Sequence, residues 1–316
     1  MSGNEECRVV RAFDVTVPEI GEDPWLIKSL WSRQAVGIIG GAPKCCKSWL
    51  ALEMAVAVAS GRPCLGRYLV PSPGPALLFS AEDPPFQVRE RLKGLSRARG
   101  VGFPELEVGL IVEPSLRIDR AQDLARLRTT IERRRPKLLL LDPYVRLQRV
   151  DENNSTEVSR VLGALRDLSR EFELSIALVH HARKGTAEQT GQALRGSSDF
   201  HAWGDSNLYL GRRGQELVLS IEHRAAPSPS PILLRLLADD DSVRLEIQES
   251  QESASSPKAL LERVLETLTL ETPHRQEDLR EILRVRNQRL TEILHQLERD
   301  RRVRRTAEGW CRLPDL

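Results

Sequence analysis

From about residue 35 to residue 210 the chain alternates short apolar runs with longer stretches of helical periodicity. The short runs, Ala35–Gly41, Ala76–Ser80, Leu138–Asp142, Ser175–His180 and Asn207–Gly211, are predicted strands covered on both faces. Between them Lys47–Ser60, Phe86–Arg99, Ala121–Arg134 and Thr156–Glu171 are predicted helices. This alternation implies an α/β fold with a doubly wound, mainly parallel central sheet. The pattern then changes. Glu216–Ile221, Ile232–Leu237 and Ser242–Ile247 are predicted strands with no helices between them, an antiparallel extension of the same sheet with Pro227–Pro231 as a turn.

Residues 248–257 are rich in Ser, Gln and Glu, too poor in apolar side chains to pack, and are predicted to be a linker. The expected organisation is therefore a core over 1–247 with a lead-in at 1–34, the linker, and a small unit over 258–316. In the small unit the helical patterns Lys258–Thr269, Gln276–Leu283 and Asn287–Arg299 precede a hairpin pattern at Arg301–Arg312. Helix, helix–turn–helix and hairpin in that order predict a winged helix-turn-helix. No internal repeat is present.

Composition adds bounds more than direction. Hydrophobic residues make up 40% of the 316 and charged residues 29%, an ordinary globular balance. A net charge of +2 is too mild to argue for a nucleic-acid partner by itself. The N-terminus lacks a basic segment followed by an apolar one, and no apolar run approaches the ~20 residues that span a bilayer. Five cysteines with no Cys-x-x-Cys spacing argue against a disulfide framework and a zinc site. A reduced, cytoplasmic protein with no membrane contact is expected.

The chemistry concentrates at Gly41-Ala42-Pro43-Lys44-Cys45-Cys46-Lys47-Ser48, followed by Trp49. This fits the phosphate-loop pattern G-x-x-x-x-G-K-[ST] at every defined position but one, after a strand and before a helix as the motif requires. Backbone N–H groups of the loop and the positive end of the helix dipole suit a phosphate. Lys47 is placed to reach β- and γ-phosphates and Ser48 to ligate Mg²⁺, which makes ATP and Mg²⁺ the expected ligands. The departure is Cys46, at the second glycine of the pattern. A glycine there takes φ angles that cost other residues ~1 kcal/mol or more. Three outcomes stay open: ATP bound with reduced affinity or turnover, Cys46 tolerated with little loss, or a loop retained only as scaffold.

The segment from Trp25-Leu-Ile27 through Gly40–Glu53 resembles the opening of RepA-type ATPases, RecA-fold relatives of the hexameric replicative helicases carried by plasmids and mobile elements. The similarity extends over residues 24 to roughly 240. It implies that Glu82, in Phe79-Ser-Ala-Glu82-Asp83, is the base that activates the attacking water. It implies that Asp142, ending Leu138–Asp142, belongs to the Mg²⁺ shell. His180, in Ile176–Lys184, would sense the γ-phosphate; replicative helicases usually carry Gln there. Arg224, in Ser220–Arg224, would reach the neighbouring subunit's nucleotide, so the resemblance also implies a homo-oligomer, a hexameric ring. Independently of the family, Glu82, Asp142 and His180 each fall at the C-terminal end of a predicted parallel strand, the edge where open α/β sheets build their sites.

The loop after His181 is polar and punctuated by glycine, and in RecA-like proteins that region faces single-stranded DNA. Arg183, Lys184, Arg195 and Ser197 are its candidate phosphate contacts, against the alternative of a plain surface loop. In the small unit Arg286 and Arg289 gather at the start of the third helix, and Arg302 and Arg304 lie in the hairpin. That distribution suits duplex DNA, with protein docking the alternative. The expected activity is an ATP-dependent, helicase-like DNA motor in replication, recombination or repair. A non-hydrolysing or weakly hydrolysing DNA-binding regulator or recruitment factor, with nucleotide as a switch, is the second reading.

Overall fold

A computed structural model describes residues 9–14, 23–148, 155–181, 198–213, 216–239, 242–248, 257–269, 272–283, 285, 287–306 and 308–313. They fall into two compact units, Met1–Ile247 and Gln248–Leu316. In the first, β1 (Trp25–Ile27) and β2 (Trp31–Ser32) make a small antiparallel pair. There follow β3 (Val36–Gly41), α1 (Lys47–Ser60), β4 (Ala76–Ser80), α2 (Pro85–Ala98), β5 (Val108–Leu110), α3 (Ala121–Arg134), β6 (Leu138–Asp142), α4 (Ser155–Phe172) and β7 (Ser175–His181). The unit ends with α5 (Ser198–Trp203), β8 (Ser206–Arg213), β9 (Glu216–His223), β10 (Ile232–Asp239) and β11 (Ser242–Ile247).

Nine strands form one sheet in the order β11-β10-β9-β8-β3-β7-β6-β4-β5. From β8 to β5 the pairings are parallel, and β9 to β11 extend the sheet antiparallel from β8, as the loss of intervening helices implies. The apolar runs divide by period two between the faces. Leu138 and Leu140 pack in one core with Leu50 of α1 and Leu92 of α2. Leu139 and Leu141 pack in the other with Leu127 of α3, Leu165 of α4 and Phe200 of α5. Helices on both faces leave no polar side to these strands, which is why their sequences read as unbroken runs.

Helix α1 is buried almost all round, from Leu50 to Val58. It ends at Gly61, whose left-handed backbone (φ 73°) donates its N–H to Ala57 O. Strand β3 lies tight against β8: a Cβ on Gly37 would stand 1.7 Å from Ser206 O. At its end Gly41 has φ 151° and a Cβ there would stand 2.2 Å from Leu210 O. These glycines let the phosphate-loop strand sit in the middle of the sheet.

The second unit comprises α6 (Pro257–Thr267), α7 (Gln276–Leu283), α8 (Asn287–Arg299) and the hairpin β12 (Val303–Arg305) with β13 (Trp310–Arg312). Its own core includes Leu260, Leu279, Leu294, Val303 and Trp310. Gln276 ties α7 to α8 by donating Nε2 to Asn287 Oδ1 (2.9 Å) and Thr291 Oγ1 (2.7 Å). Among the described residues no helix is long and apolar enough to cross a membrane.

Candidate functional site: a phosphate-loop cleft

Register fixes the site before any side chain is considered. Gly41 of β3 pairs with His181 of β7, and Ser80 of β4 pairs with Asp142 of β6. The ends of β3 and β7 are level with each other, those of β4 and β6 lie two residues short of them, and the loop Ala42–Cys46 turns from β3 into α1 across that edge. A cleft of about 310 Å³ opens there, lined by the loop from Lys44 to Trp49 and by Ser80, Glu82, Asp83, Arg91, Asp142 and His181.

Lys47 is buried, and its Nζ donates to Gly41 O (3.0 Å) and Ala42 O (2.8 Å), which closes the loop over the start of α1. Burial lowers the Lys47 pKa, while Cys45 and Asp142 work against the shift. Two non-glycine residues of the loop hold left-handed backbones, Lys44 at φ 62° and Cys46 at φ 61°. The strain anticipated at Cys46 is therefore present, at the N-cap of α1, where its side chain makes no capping hydrogen bond. Burial pushes the Cys46 thiol up, opposed by the charge of Arg212.

Asp142 ends β6 and lines the cleft with Ser48. Burial raises its pKa from 3.8 to about 6, against the Ser48 side chain, which favours the charged form, with the neighbouring charges of Asp83 and Glu82 pushing the same way as burial. Asp83 is itself paired with Arg91 (Nη2 to Oδ1, 3.2 Å), whose guanidinium also lies 5.3 Å from the Trp49 ring centre. Glu82 stands at the open side, 3.4 Å from Arg146 Nε. This cluster of acids beside a hydroxyl fits Mg²⁺, which binds through one or two protein oxygens together with phosphates and water. A divalent cation there would offset both the burial and the lesser like-charge repulsion that raise Asp142.

The structure brings Glu82, Asp142, Lys47, Ser48 and Trp49 to one cleft and sets His180 apart from it. His180 is on the opposite face of β7, its ring centre 4.3 Å from that of Phe200 and 6.2 Å from that of Tyr144. Burial lowers its pKa to about 4. Its neighbour His181 lines the cleft instead, with its pKa lowered by burial and by Lys47. Arg224 lies at the other end of the sheet. It follows His223, which pairs with Ser206, the first residue of β8, whereas Leu210 of β8 is level with Gly41. That separation along β8 is about 13 Å. Arg224 pairs there with Asp205 (3.1 Å) and donates to Ala202 O.

Arg183, Lys184, Arg195, Ser197 and Arg286 lie outside the described residues, and for Arg289 only the backbone within α8 is described. Arg302 precedes β12 and Arg304 lies on it, both exposed. Sequence reasoning missed Arg91, Asp83, His181 and Arg212. Asp83 and His181 each adjoin a residue it selected. Arg91 and Arg212 carry no motif, and only the return of α2 and β8 toward the loop gives them a place.

The doubly wound sheet with its loop, acidic cluster and antiparallel flank defines a RecA-like P-loop ATPase fold. The sequence family described as an AAA domain matches residues 6–187, more than half of the chain, and the protein belongs to that family. No curated protein matches the chain. Among solved structures the ATPase domain of G40P is similar at 13% identity with a TM-score of 0.51, covering 68% of this chain and 86% of that one. A DnaB-like replicative helicase, determined with its interactions with primase, is similar at 15% identity with a TM-score of 0.50. That match covers 67% of this chain and 57% of the helicase, so the chain spans little more than half of that relative's length.

Proposed function

We propose that this protein is an ATP-hydrolysing DNA motor of RepA type. The observation that carries the reading is the convergence of Lys47, Ser48, Glu82 and Asp142 on one cleft at the C-terminal edge of a parallel sheet. Lys47 turns its ammonium from the loop carbonyls to the phosphates, and Ser48 and Asp142 hold the metal side of the nucleotide. Mg²⁺ bound with ATP supplies positive charge at the transferred phosphoryl group. Glu82, which Arg146 fixes at the open side of the cleft, orients the attacking water and accepts its proton. His180 stands behind the cleft on the far face of β7, packed near Phe200 and Tyr144 and kept neutral by burial, and His181 faces the cleft in its place.

The fold shared with an ATPase domain and a DnaB-like replicative helicase supports DNA as the substrate. Single-stranded DNA is assigned to the loop carrying Arg183, Lys184, Arg195 and Ser197. The second unit, with three helices, a hairpin and Arg302 and Arg304 exposed, is read as a winged helix for duplex DNA, with Arg286 and Arg289 as further candidate contacts and a protein partner as the alternative. A homo-oligomeric ring in the cytoplasm completes the reading.

Hydrolysis of ATP with Mg²⁺, measured with and without single-stranded DNA, tests it. DNA-stimulated turnover is expected, and Cys46→Gly is expected to raise it. Absence of stimulated turnover in both the parent and Cys46→Gly removes the motor. The left-handed Cys46, with a side chain where a phosphate loop carries none, favours a second reading: a DNA-binding regulator that uses nucleotide as a switch. Tight nucleotide binding without turnover is the result that selects it.

A further inference from the structure

Arg212 is the next-to-last residue of β8, two positions beyond Leu210, which pairs with Gly41 at the end of β3. Its backbone has passed the end of β3, and its side chain returns to the phosphate loop, where Nη2 donates to Lys44 O at 3.4 Å. Its charge also lies close enough to bear on the Cys46 thiol. The cation therefore sits over the segment between the two left-handed residues, Lys44 and Cys46.

A strained loop persists only where its surroundings hold it. Among the described residues two cations hold the loop: Lys47 through the carbonyls of Gly41 and Ala42, and Arg212 through the carbonyl of Lys44. They are not equivalent once nucleotide arrives. The Lys47 ammonium has three donors and must turn them to the phosphates, which releases Gly41 O and Ala42 O. The bond from Arg212 comes from outside the loop and is free to remain. A glycine at position 46 removes the strain that this bond resists.

We infer that Arg212 is a positioning residue for nucleotide binding, a clamp that keeps the Cys46-containing loop in its phosphate-binding shape after Lys47 has left the loop carbonyls. This rests on the nucleotide reading above and adds a residue that the phosphate-loop motif does not contain. The clamp matters because of Cys46, and that dependence separates it from a general structural role.

The test is a fourfold comparison of affinity for a fluorescent ADP with Mg²⁺, using the full chain as parent, Arg212→Ala, Cys46→Gly and the double variant. Arg212→Ala is expected to weaken binding about tenfold in the Cys46 parent, the scale of one charge-assisted hydrogen bond. In the Cys46→Gly background the same change is expected to cost about threefold or less. Arg212→Lys, which keeps the cation, is expected to recover most of the loss, and Arg213→Ala serves as the neighbouring control. Melting temperatures of all variants check that Arg212, an exposed side chain, is dispensable for folding. If the parent binds nucleotide and Arg212→Ala binds equally well, the clamp is overturned while the nucleotide reading stands. An equal loss in both backgrounds also overturns it, leaving a direct phosphate contact. A parent that binds no nucleotide removes both.

Discussion

Asp142 and His180 stand on neighbouring strands, and burial drives their titrations so that they affect stability in opposite senses. Asp142 is raised from 3.8 to about 6. Between those values the folded state holds more protons than the unfolded chain, so stability falls as pH rises through them. His180 is lowered from 6.5 to about 4. Across that window the unfolded chain holds more protons, so stability is lost as pH falls. His181, also lowered, acts in the same sense as His180. With shifts of similar size the two effects largely cancel between pH 4 and 6, and single variants should uncover them. Asp142→Asn is expected to leave stability rising with pH from 4 to 6.5, and to stabilise the nucleotide-free protein at pH 7 by on the order of 1–3 kcal/mol. His180→Gln is expected to give a shallower rise or a reversed slope over pH 4 to 6. Denaturant midpoints at a series of pH values check both. Parallel slopes in the two variants would refute the opposed titrations. Asp142→Asn should also abolish turnover, the trade expected of a carboxylate kept for its ligand and not for the fold.

At the scale of elements, the approach of β3 to β8 is the constraint on which the loop depends. Gly37 accepts no Cβ without moving Ser206 O, which is backbone and cannot rotate aside. Gly37→Ala is therefore expected to destabilise by about 1–3 kcal/mol, the scale of overpacking a core, and to weaken nucleotide binding by shifting Gly41. A thermal melt within a degree or two of the parent would contradict it. Such a contact is tertiary, and it marks where the sequence stops being legible. Helices α3, α7 and α8 begin and end where the periodicity places them, because each has enough turns to display a face, and α1, buried almost all round, does so because the phosphate-loop motif opens it and Gly61 closes it. Strands β4 and β6 are equally plain, since burial on both faces writes an unbroken apolar run. Strands β1, β2 and β5 have two or three residues and α5 has six, too few for any period to register. The site divides in the same way. Lys47, Ser48, Glu82 and Asp142 follow from strand ends and a motif, while Arg91 and Arg212 come from elements whose register no local pattern encodes. The side of β7 on which His180 or His181 falls depends on which face α1 covers, so the pair could not be resolved from the run itself.

For the whole molecule the decisive question is whether one subunit completes another's site. Arg224 cannot reach the cleft of its own subunit, since about 13 Å of β8 separates the two levels of the sheet. Its pairing with Asp205 is half exposed, and Asp205 also pairs with Arg166, so Asp205 keeps a partner if Arg224 leaves. An exposed pair of this kind contributes only about 0–1 kcal/mol, and its loss is no obstacle to a contact in trans. A head-to-tail ring sets the far end of one sheet against the loop end of the next, a heterologous interface that closes by rotation. Lys47→Ala and Arg224→Ala should then each be inactive alone, for different reasons: the first lacks the loop cation, the second lacks the neighbour's arginine. Mixed in equal amounts, they form some interfaces in which an Arg224→Ala subunit gives an intact loop and a Lys47→Ala subunit gives an intact Arg224. With random assembly and independent sites, roughly a quarter of the interfaces are of this kind, and roughly a quarter of the parental rate should return. Steady-state hydrolysis across mixing ratios reads this directly, with a maximum near equal amounts. A mixture that stays as inactive as its components, while mass measurements record mixed oligomers, removes Arg224 from the neighbour's site and leaves it its contacts with Asp205 and Ala202.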